Sequence, residues 1–300
     1  MDVTLIPFIL AAKVFVQDMS EWTYGPEYVY DLNITYDITP EPPAPVDNSR
    51  QEVDNIQLIA TLNCRPKHND HLFCQVKNAT EITNDNRNEQ GLKYALMDRA
   101  FEIVFNERGV EGLIIDVTHT QAVDLVRKIA NQFNVLSNRS KIDEWQFYTR
   151  EGTAMGDCWT AYRISREEPA TEEFKIAGTD FRFVILPFVD MKPGTAFSIT
   201  KTRMECKNSP TSVDFVAGSL GMLKFYTTTE ILPNKFEVSS VFVGKVTGTQ
   251  SGKEILTFKE IIYINLNSIK PAQGEVPHVH MGELFDLTAN TQISGTMVDD

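Results

Sequence analysis

The feature that most constrains the fold of this chain is a succession of segments in which apolar and polar residues alternate. Along Glu27–Tyr36, tyrosine, leucine and isoleucine occupy every second position, and Ile56–Leu62 repeats the pattern. A period of two residues predicts half-buried β-strands. The two segments flank Thr39–Val46, which contains four prolines. Because proline cannot donate a backbone hydrogen bond, we expect a long hairpin whose strands are joined by an extended loop.

Further segments with this strand-like character follow through most of the chain. They are Phe101–Phe105, Gly112–Val117, Trp159–Ile164, Phe181–Phe188, Phe197–Thr202, Leu223–Ile231, Lys235–Val246 and Ile255–Leu266. This number of strands predicts a mainly β fold, a large antiparallel β-barrel that is closed or nearly closed. Eight of the apolar residues on or beside these strands are candidates for its interior: Phe181, Phe183, Ile185, Phe188, Phe225, Phe236, Phe242 and Phe258.

One segment has the periodicity of a helix instead. Between Gln121 and Leu136, apolar residues recur three and four positions apart, and Thr120 is a suitable N-cap. At about 1.5 Å per residue, the predicted helix is roughly 24 Å long, which is comparable to the length of a strand. The helix either plugs the barrel or lies on the surface and covers a sheet edge, and its periodicity is compatible with both positions.

The four cysteines allow three pairings if all of them are oxidised. Cys64 and Cys74 flank a turn-rich insert between two strand segments, as cross-strand neighbours beside a hairpin loop would. We therefore predict the pairs Cys64–Cys74 and Cys158–Cys206, the second of which would fix a long β-connection to the sheet. Four reduced, buried thiols in a cytosolic protein are the alternative.

The compartment is predicted from the cysteines together with three Asn-X-Ser/Thr sequons. Asn33, Asn78 and Asn138 are the glycosylation candidates, and with the disulfides they favour a secreted protein. The apolar run Val3–Ala12 has the length of a signal peptide, but Asp2 stands where a positive residue is usual. Residues 1–20 are therefore an atypical signal or a buried first strand. No apolar run approaches the roughly 18 to 20 residues of a transmembrane helix.

Charge and motifs argue against several function classes. The net charge of −13 would repel nucleic acid, whose binders cluster lysine and arginine. No Walker sequence, dinucleotide fingerprint or Cys-x-x-Cys pair occurs, so we expect neither a cofactor nor an enzyme. Gly218–Gly221 only partly matches the nucleophile elbow of hydrolases and is better explained as linker.

A metal site also receives little support from the sequence. His278 and His280 would share one side of a strand, but two ligands do not complete a zinc site. His68, His71 and His119 lack an evident carboxylate or thiolate to complete a set of ligands. Solvated loop histidines are the simpler interpretation, and no metal ligand is predicted.

Four segments, in order along the chain, resemble the amino-terminal module of the vitellogenins and related large lipid transfer proteins. Trp22–Tyr30 looks like the first strand of that module, with its tryptophan, glycine and spaced tyrosines, and Phe105–Val110 is similar to the segment ahead of its helix. Gly156–Tyr162 resembles the family's Gly-x-Cys-x-x-x-Tyr strand, and Ile199–Cys206 resembles the strand that ends in the partner cysteine.

This resemblance implies a β-barrel around one helix over residues 21–270, followed by a tail or truncated linker over residues 271–300. It also implies lipid transport or yolk storage by a secreted lipoprotein, with phospholipid or neutral lipid as cargo. The alternative is a barrel that binds a cell-surface receptor or another protein and does not itself hold lipid. The resemblance identifies no lipid-binding residue.

Overall fold

The computed structural model describes residues 1–40, 54–68, 70–84, 91–116, 120–169, 183–186, 194–207, 218–248, 252–279 and 282–287. The strands are β1 Asp2–Ile6, β2 Leu10–Val14, β3 Pro26–Pro40, β4 Asp54–His68, β5 His71–Thr83, β6 Ala100–Asn106, β7 Gly109–Asp116, β8 Gln146–Thr153, β9 Gly156–Glu167, β10 Phe183–Leu186, β11 Ala196–Lys207, β12 Gly218–Leu232, β13 Lys235–Gly248, β14 Glu254–Pro271 and β15 Gly282–Asp286. The α-helices are α1 Gly91–Leu96 and α2 Thr120–Gln132, and Ser20–Trp22 and Arg139–Lys141 form short 3-10 helices.

Twelve of the strands form one antiparallel sheet. Their order across this large sheet is β15-β7-β6-β5-β4-β3-β14-β13-β12-β11-β9-β8. The predicted hairpin is present, because β3 pairs with β4 from Tyr28↔Cys64 to Ile38↔Asp54. The long pairing of β3 with β14 joins the two halves of the sheet. The prediction of a mainly β, antiparallel fold is confirmed.

The prediction of a closed barrel is not confirmed. Within the described residues, β15 and β8 are the two edge strands of the large sheet and do not pair with each other. The gap between them is lined by the chain that follows α2, including Asn134, Ser137 and Ile142. The sheet is therefore open between these two edges in the described part of the chain. We call this gap the seam.

Helix α2 lies inside the curve of the large sheet. It contacts β7 near one edge, β8 at the other edge, and β13 and β14 in the middle. A sheet that touches one helix from both of its ends must wrap around that helix. The helix ends at Gln132, four residues before the predicted end at Leu136, but Phe133 remains buried against Tyr30 with ring centroids 5.3 Å apart. Asn131 and Asn134 favour this early end, because asparagine is a poor helix former.

The interior around the helix is filled by side chains. Phe236 packs against Tyr30 at 6.4 Å, and Phe242 contacts both Phe225 and Phe258, at 5.7 and 6.2 Å between ring centroids. Phe183 and Ile185, two further candidates for this interior, are buried but belong to β10, whereas Phe181 and Phe188 lie outside the described residues.

The amino-terminal segment forms a second, smaller sheet in the order β1-β2-β10. Most of the apolar run Val3–Ala12 lies in β1 and β2, and its buried residues belong to the same core as the large sheet. The Tyr28 hydroxyl donates a hydrogen bond to the backbone oxygen of Thr4, which ties β3 to β1. The amide of Ile185 likewise donates to Pro233 between β12 and β13.

The chain after residue 271 differs from the predicted tail. Residues 282–286 form β15, which pairs with β7 along the whole of its length. Burial of apolar surface stabilises this strand, because Phe285 and Leu287 are only 8% and 2% exposed. The guanidinium of Arg127 also lies 5.4 Å from the centroid of the Phe285 ring. Residues 288–300 lie outside the described residues.

The structure contains two disulfides, and each joins strands that lie side by side. Cys64 and Cys74 are directly opposite each other on β4 and β5, with a Cα–Cα distance of 4.1 Å. Cys158 on β9 is joined to Cys206 on β11 across a separation of 48 positions, where the pairing shifts between Met204 and Lys207. Both disulfides therefore fix strand register rather than link distant parts of the chain.

Candidate binding site at the sheet seam

A cavity of about 1390 Å³ opens at the seam. Its walls come from both edges of the large sheet: Thr149–Gly152 of β8 on one side, Asp286 and Leu287 at the end of β15 on the other, and the turn between β6 and β7 beside it. Phe8, in the turn between β1 and β2, also lines it. The cavity exceeds the roughly 300–1000 Å³ of ordinary small-molecule pockets, so it has room for a large ligand.

The lining of the cavity is of two kinds. Its polar part includes Arg108, Arg150, Arg166, Asn134, Ser137, Asn138 and Ser140, with the carboxylates Glu107, Asp143 and Glu151. Its apolar part consists of Phe8, Val110, Ile142 and Leu287. A lining that combines donors and charges with aromatic and branched aliphatic groups matches an amphiphilic molecule better than a purely apolar one.

A buried ionic cluster forms the wall beneath the polar part. The Glu151 carboxylate accepts hydrogen bonds on Oε1 from Lys201 Nζ at 2.6 Å and Tyr162 Oη at 3.1 Å. Asn134 Nδ2 donates to the same oxygen at 3.0 Å, and Arg203 Nε lies 3.3 Å from Oε2. The side chains of Glu151, Lys201 and Arg203 are 1%, 1% and 0% exposed, so these charges are withdrawn from water.

Burial and neighbouring charges shift the pKa values of Lys201 and Glu151 in opposite directions. Burial lowers the pKa of Lys201 to about 8, although the Glu151 carboxylate acts to raise it. Burial also disfavours the ionised form of Glu151, but the neighbouring Lys201 and Arg203 outweigh it and hold the pKa of Glu151 below its ordinary value. Burial, together with the Glu151 charge, raises the pKa of Tyr162. The Tyr162 hydroxyl therefore remains a hydrogen-bond donor at neutral pH.

The cluster carries one more positive than negative charge and retains unused hydrogen-bonding capacity. Arg203 donates through one terminal nitrogen to Thr227 Oγ1 at 2.6 Å, and its guanidinium lies 4.4 Å from the ring centroid of Phe225. Asn134 Oδ1 and Ser137 Oγ are buried, and both have no hydrogen-bond partner among the described residues. Asn134 and Ser137 also line the cavity, so these two unsatisfied oxygens are buried within its wall.

The turn between β6 and β7 fits tightly against this wall. Gly109 has a φ of +112°, which only glycine adopts readily, and a Cβ at this position would stand 2.1 Å from Asn134 Oδ1. The close approach packs the β6–β7 turn against the segment that follows α2. Gly109 is therefore packed directly against Asn134, a residue of the cavity lining.

The ionic cluster was not predicted from the sequence, although a signal for it was present. In β11, Phe197, Ile199, Lys201 and Arg203 alternate along one face, so the two cations stand at core positions. Charged residues at such positions are rarely buried unless they are paired. The partner, Glu151, could not be identified because it comes from another strand.

The three sequon asparagines lie in different surroundings. Asn33 is half-buried in β3, and its Oδ1 accepts a hydrogen bond from Gln57 Nε2 at 3.1 Å. Asn78 is exposed, with a φ of +54°, where the register of β4 and β5 shifts. Asn138 lines the seam cavity, and its Oδ1 accepts hydrogen bonds from the amide and the hydroxyl of Ser140.

The residues considered for metal binding and hydrolysis do not come together. The described residues contain no group of three or more histidine, cysteine or acidic side chains suited to a metal. His71 contacts Glu102 at 3.3 Å and His278 is exposed, whereas His119 and His280 lie outside the described residues and the side chain of His68 is not described. Gly218–Gly221 begins the antiparallel strand β12 rather than a turn into a helix.

Comparison with known proteins shows the fold of this chain. No protein-family model matches the sequence, and no curated protein sequence matches it. A solved structure concerned with lipid–protein interactions in lipovitellin superimposes on 91% of this chain with a TM-score of 0.60 and 12% sequence identity. The chain spans 28% of the length of that lipovitellin chain. The likeness supports a vitellogenin-like fold. None of the helices in the described part of the chain has the length and apolar character needed to cross a membrane.

Proposed function

We propose that this chain is a secreted lipid-binding module of the lipid transport and storage class, and not an enzyme. The observation that carries the proposal is the match to lipovitellin over 91% of the chain. The two disulfides support an oxidising, extracellular location. The chain spans only 28% of the length of that lipovitellin chain. The activity of a whole lipoprotein is therefore also a proposal for this chain.

The seam cavity is the place that we assign to lipid. The space between α2 and the large sheet is filled by aromatic and aliphatic side chains, so acyl chains would have to displace a packed core. The seam cavity instead offers about 1390 Å³ without that cost. A polar headgroup would meet exposed polar residues of the lining such as Arg108 and Ser140. Acyl methylenes would lie against Val110 and Leu287, each contributing about 0.8 kcal/mol when removed from water.

The proposal is tested by native mass spectrometry of the chain purified from a eukaryotic secretory host. Phospholipid or neutral lipid should co-purify and be recovered by solvent extraction. Thr149, half-buried in the cavity wall on β8, provides a blocking variant, because the larger side chain of Thr149→Trp would fill part of the cavity. Thr61→Trp is the matched control, since Thr61 is similarly half-buried on β4 outside the cavity.

The expected result is bound lipid in the wild type and in Thr61→Trp, and severalfold less lipid in Thr149→Trp. Protein that is lipid-free from the start and does not take up lipid from vesicles would overturn the proposal. Equal lipid in all three proteins would leave a lipid-binding module but reject the seam as its site.

Protein recognition is the second candidate function. The filled interior favours it, because a sheet wrapped around a packed helix needs no cargo to be stable. In that case the chain would bind a cell-surface receptor or another protein without holding lipid. Saturable, lipid-independent binding of the purified chain to cells, combined with empty native spectra, would support this candidate against the first.

A further inference from the structure

One region of the outer surface of the large sheet differs from the rest of this acidic protein. Tyr148 of β8, Trp159 of β9, Met204 of β11 and Tyr226 of β12 all point away from α2. They are joined there by three cations, Arg150, Arg163 and Lys224, which lie on the same face of β8, β9 and β12. We call these seven residues the aromatic–basic face.

Strand pairing makes these side chains neighbours. Arg150 is opposite Trp159, and Trp159 is opposite Met204 in the next strand. The Trp159 ring stacks on Tyr148, with centroids 6.3 Å apart, and the guanidinium of Arg150 lies 5.8 Å from the Trp159 centroid. These contacts form a patch in which two stacked rings lie beside a positive charge.

The second part of the face continues across β12. Lys224 Nζ lies 4.6 Å from the ring centroid of Tyr226, and Tyr226 is opposite Thr202 of β11. Four of the large side chains remain substantially accessible: Tyr148, Trp159 and Met204 are 49%, 38% and 37% exposed, and Lys224 is also exposed. Trp145, immediately before β8, is 75% exposed at the rim.

The charge of the face has the opposite sign to that of the whole chain, which is −13. Carboxylates close to the face include Asp157, which lies 3.7 Å from Arg150, and Glu205, which follows Met204 in β11. Neither Arg163 nor Lys224 lies within ion-pair distance of a carboxylate in the part of the chain that the structure describes. A cationic face within an acidic protein directs an anionic partner to one place.

We propose that the aromatic–basic face docks on the surface of a lipid layer that contains anionic phospholipid. Tyrosine and tryptophan rings, with one apolar and one polar side, are suited to the level of lipid headgroups. Arginine and lysine beside them attract the negative charge of such a surface. The face goes beyond the seam cavity proposed above, because it would recognise a lipid surface from outside and shares only Arg150 with the cavity lining.

The experiment is flotation of the full chain with vesicles of phosphatidylcholine alone and of phosphatidylcholine with phosphatidylserine. The chain should float with the mixed vesicles and much less with phosphatidylcholine, and binding should weaken as salt is raised. The test variant is the double substitution Arg163→Glu and Lys224→Glu. The control, Lys13→Glu with Lys93→Glu, changes the net charge equally on β2 and α1.

The test variant should bind the mixed vesicles at least about tenfold more weakly than wild type, because each basic residue contributes about 1 kcal/mol at an anionic surface. The control should bind within about twofold of wild type. Equal losses in the two double variants would overturn the proposal, since they would show a response to net charge alone. Failure of the wild-type chain to float with mixed vesicles would overturn it as well.

Tryptophan fluorescence tests the orientation of the docked chain. The chain has three tryptophans, of which Trp22 lies in a 3-10 helix outside the face. Brominated acyl chains should quench the wild-type emission, Trp159→Phe should remove a large share of that quenching, and Trp22→Phe should leave it unchanged. Unaltered quenching in Trp159→Phe would overturn the proposed face.

The outcomes for the two lipid proposals are separable. Loss of co-purified lipid in Thr149→Trp with normal flotation would place the failure at the cavity. Normal lipid content with lost flotation in the Arg163→Glu, Lys224→Glu variant would confirm the face as a separate site.

Discussion

Glu102 and Glu151, two of the buried glutamates, lie in different halves of the large sheet and have very different surroundings. Glu102 on β6 pairs with Lys67 at 2.8 Å and His71 at 3.3 Å, and these partners remain 18% and 24% exposed. Glu151 on β8 pairs with cations that are 1% and 0% exposed. Each half also has one disulfide between neighbouring strands. The charges of the first cluster are therefore partly solvated by water. The charges of the second cluster are neutralised only by its own buried members.

The largest loss of stability is expected from a substitution of Glu151. Glu151→Gln should lower the free energy of unfolding by about 3–5 kcal/mol, because it leaves Lys201 and Arg203 buried without a counter-charge. The matched variant Glu102→Gln should cost less than about 2 kcal/mol, since Lys67 and His71 can turn to water. Urea denaturation of both variants provides the measurement. Equal losses would show that burial of the partners does not determine the cost.

The two disulfides give the next largest effects. Replacing Cys158 and Cys206 by alanine should cost about 4 kcal/mol and replacing Cys64 and Cys74 about 3 kcal/mol, since the longer closed loop restricts the unfolded chain more. Sequence separations of 48 and 10 determine this order. Thermal and chemical denaturation of the two double variants would measure it. A larger loss for the shorter loop would contradict the entropic explanation in this protein.

A smaller effect is expected at the turn that abuts the Glu151 cluster. Gly109→Ala should cost about 2–3 kcal/mol, from an unfavourable φ and from the contact with Asn134. Gly25→Ala, where φ is +78° and nothing lies within 4 Å of the new Cβ, should cost about 1 kcal/mol and serves as the control. If the two variants are equally stable, the close contact between Gly109 and Asn134 does not contribute to the stability of the fold.

The smallest effect is a pH dependence that belongs to the Glu102 cluster. The hydrogen bond with Glu102 raises the pKa of His71 above its ordinary value. The added stability is then fully present below about pH 6.5, the pKa of histidine in the unfolded chain, and is lost as the pH rises through the raised value. We expect less than about 1 kcal/mol. Proton NMR titration of His71 should return to an ordinary pKa in Glu102→Gln, and an unchanged titration would rule out the hydrogen bond as its cause.

The sequence predicts the strands of this molecule better than their closure. Alternation along Glu27–Tyr36 and Ile56–Leu62 specified the β3–β4 hairpin, because each residue's face follows from its position. Closure depends on whether the edge strands β8 and β15 pair with each other, which alternation within one strand does not reveal. Asn134 and Ser137, which line the cavity at the seam, follow a helix that ends four residues before its predicted end.

The seam cavity could not be predicted for a related reason. It is assembled from β8, the end of β15, the β6–β7 turn and Phe8, which are far apart in the sequence and carry no shared motif. Periodicity also gave no distinction between a plugging and a covering helix, since both bury one apolar stripe. The strand β15 was also not predicted. Residues Gly282–Asp286 form a strand by pairing with β7, and a sequence of five residues does not reveal its partner.

Photo-crosslinking tests the central claim most directly, that lipid lies at the seam and not around α2. A phospholipid with a diazirine in its acyl chain would be loaded into the purified protein, irradiated and mapped by peptide mass spectrometry. The proposal predicts adducts at Val110, Ile142 and Leu287, on the walls of the cavity. Adducts concentrated on α2 and on Phe236 or Phe242 would contradict it, because they would place the acyl chains inside the packed core.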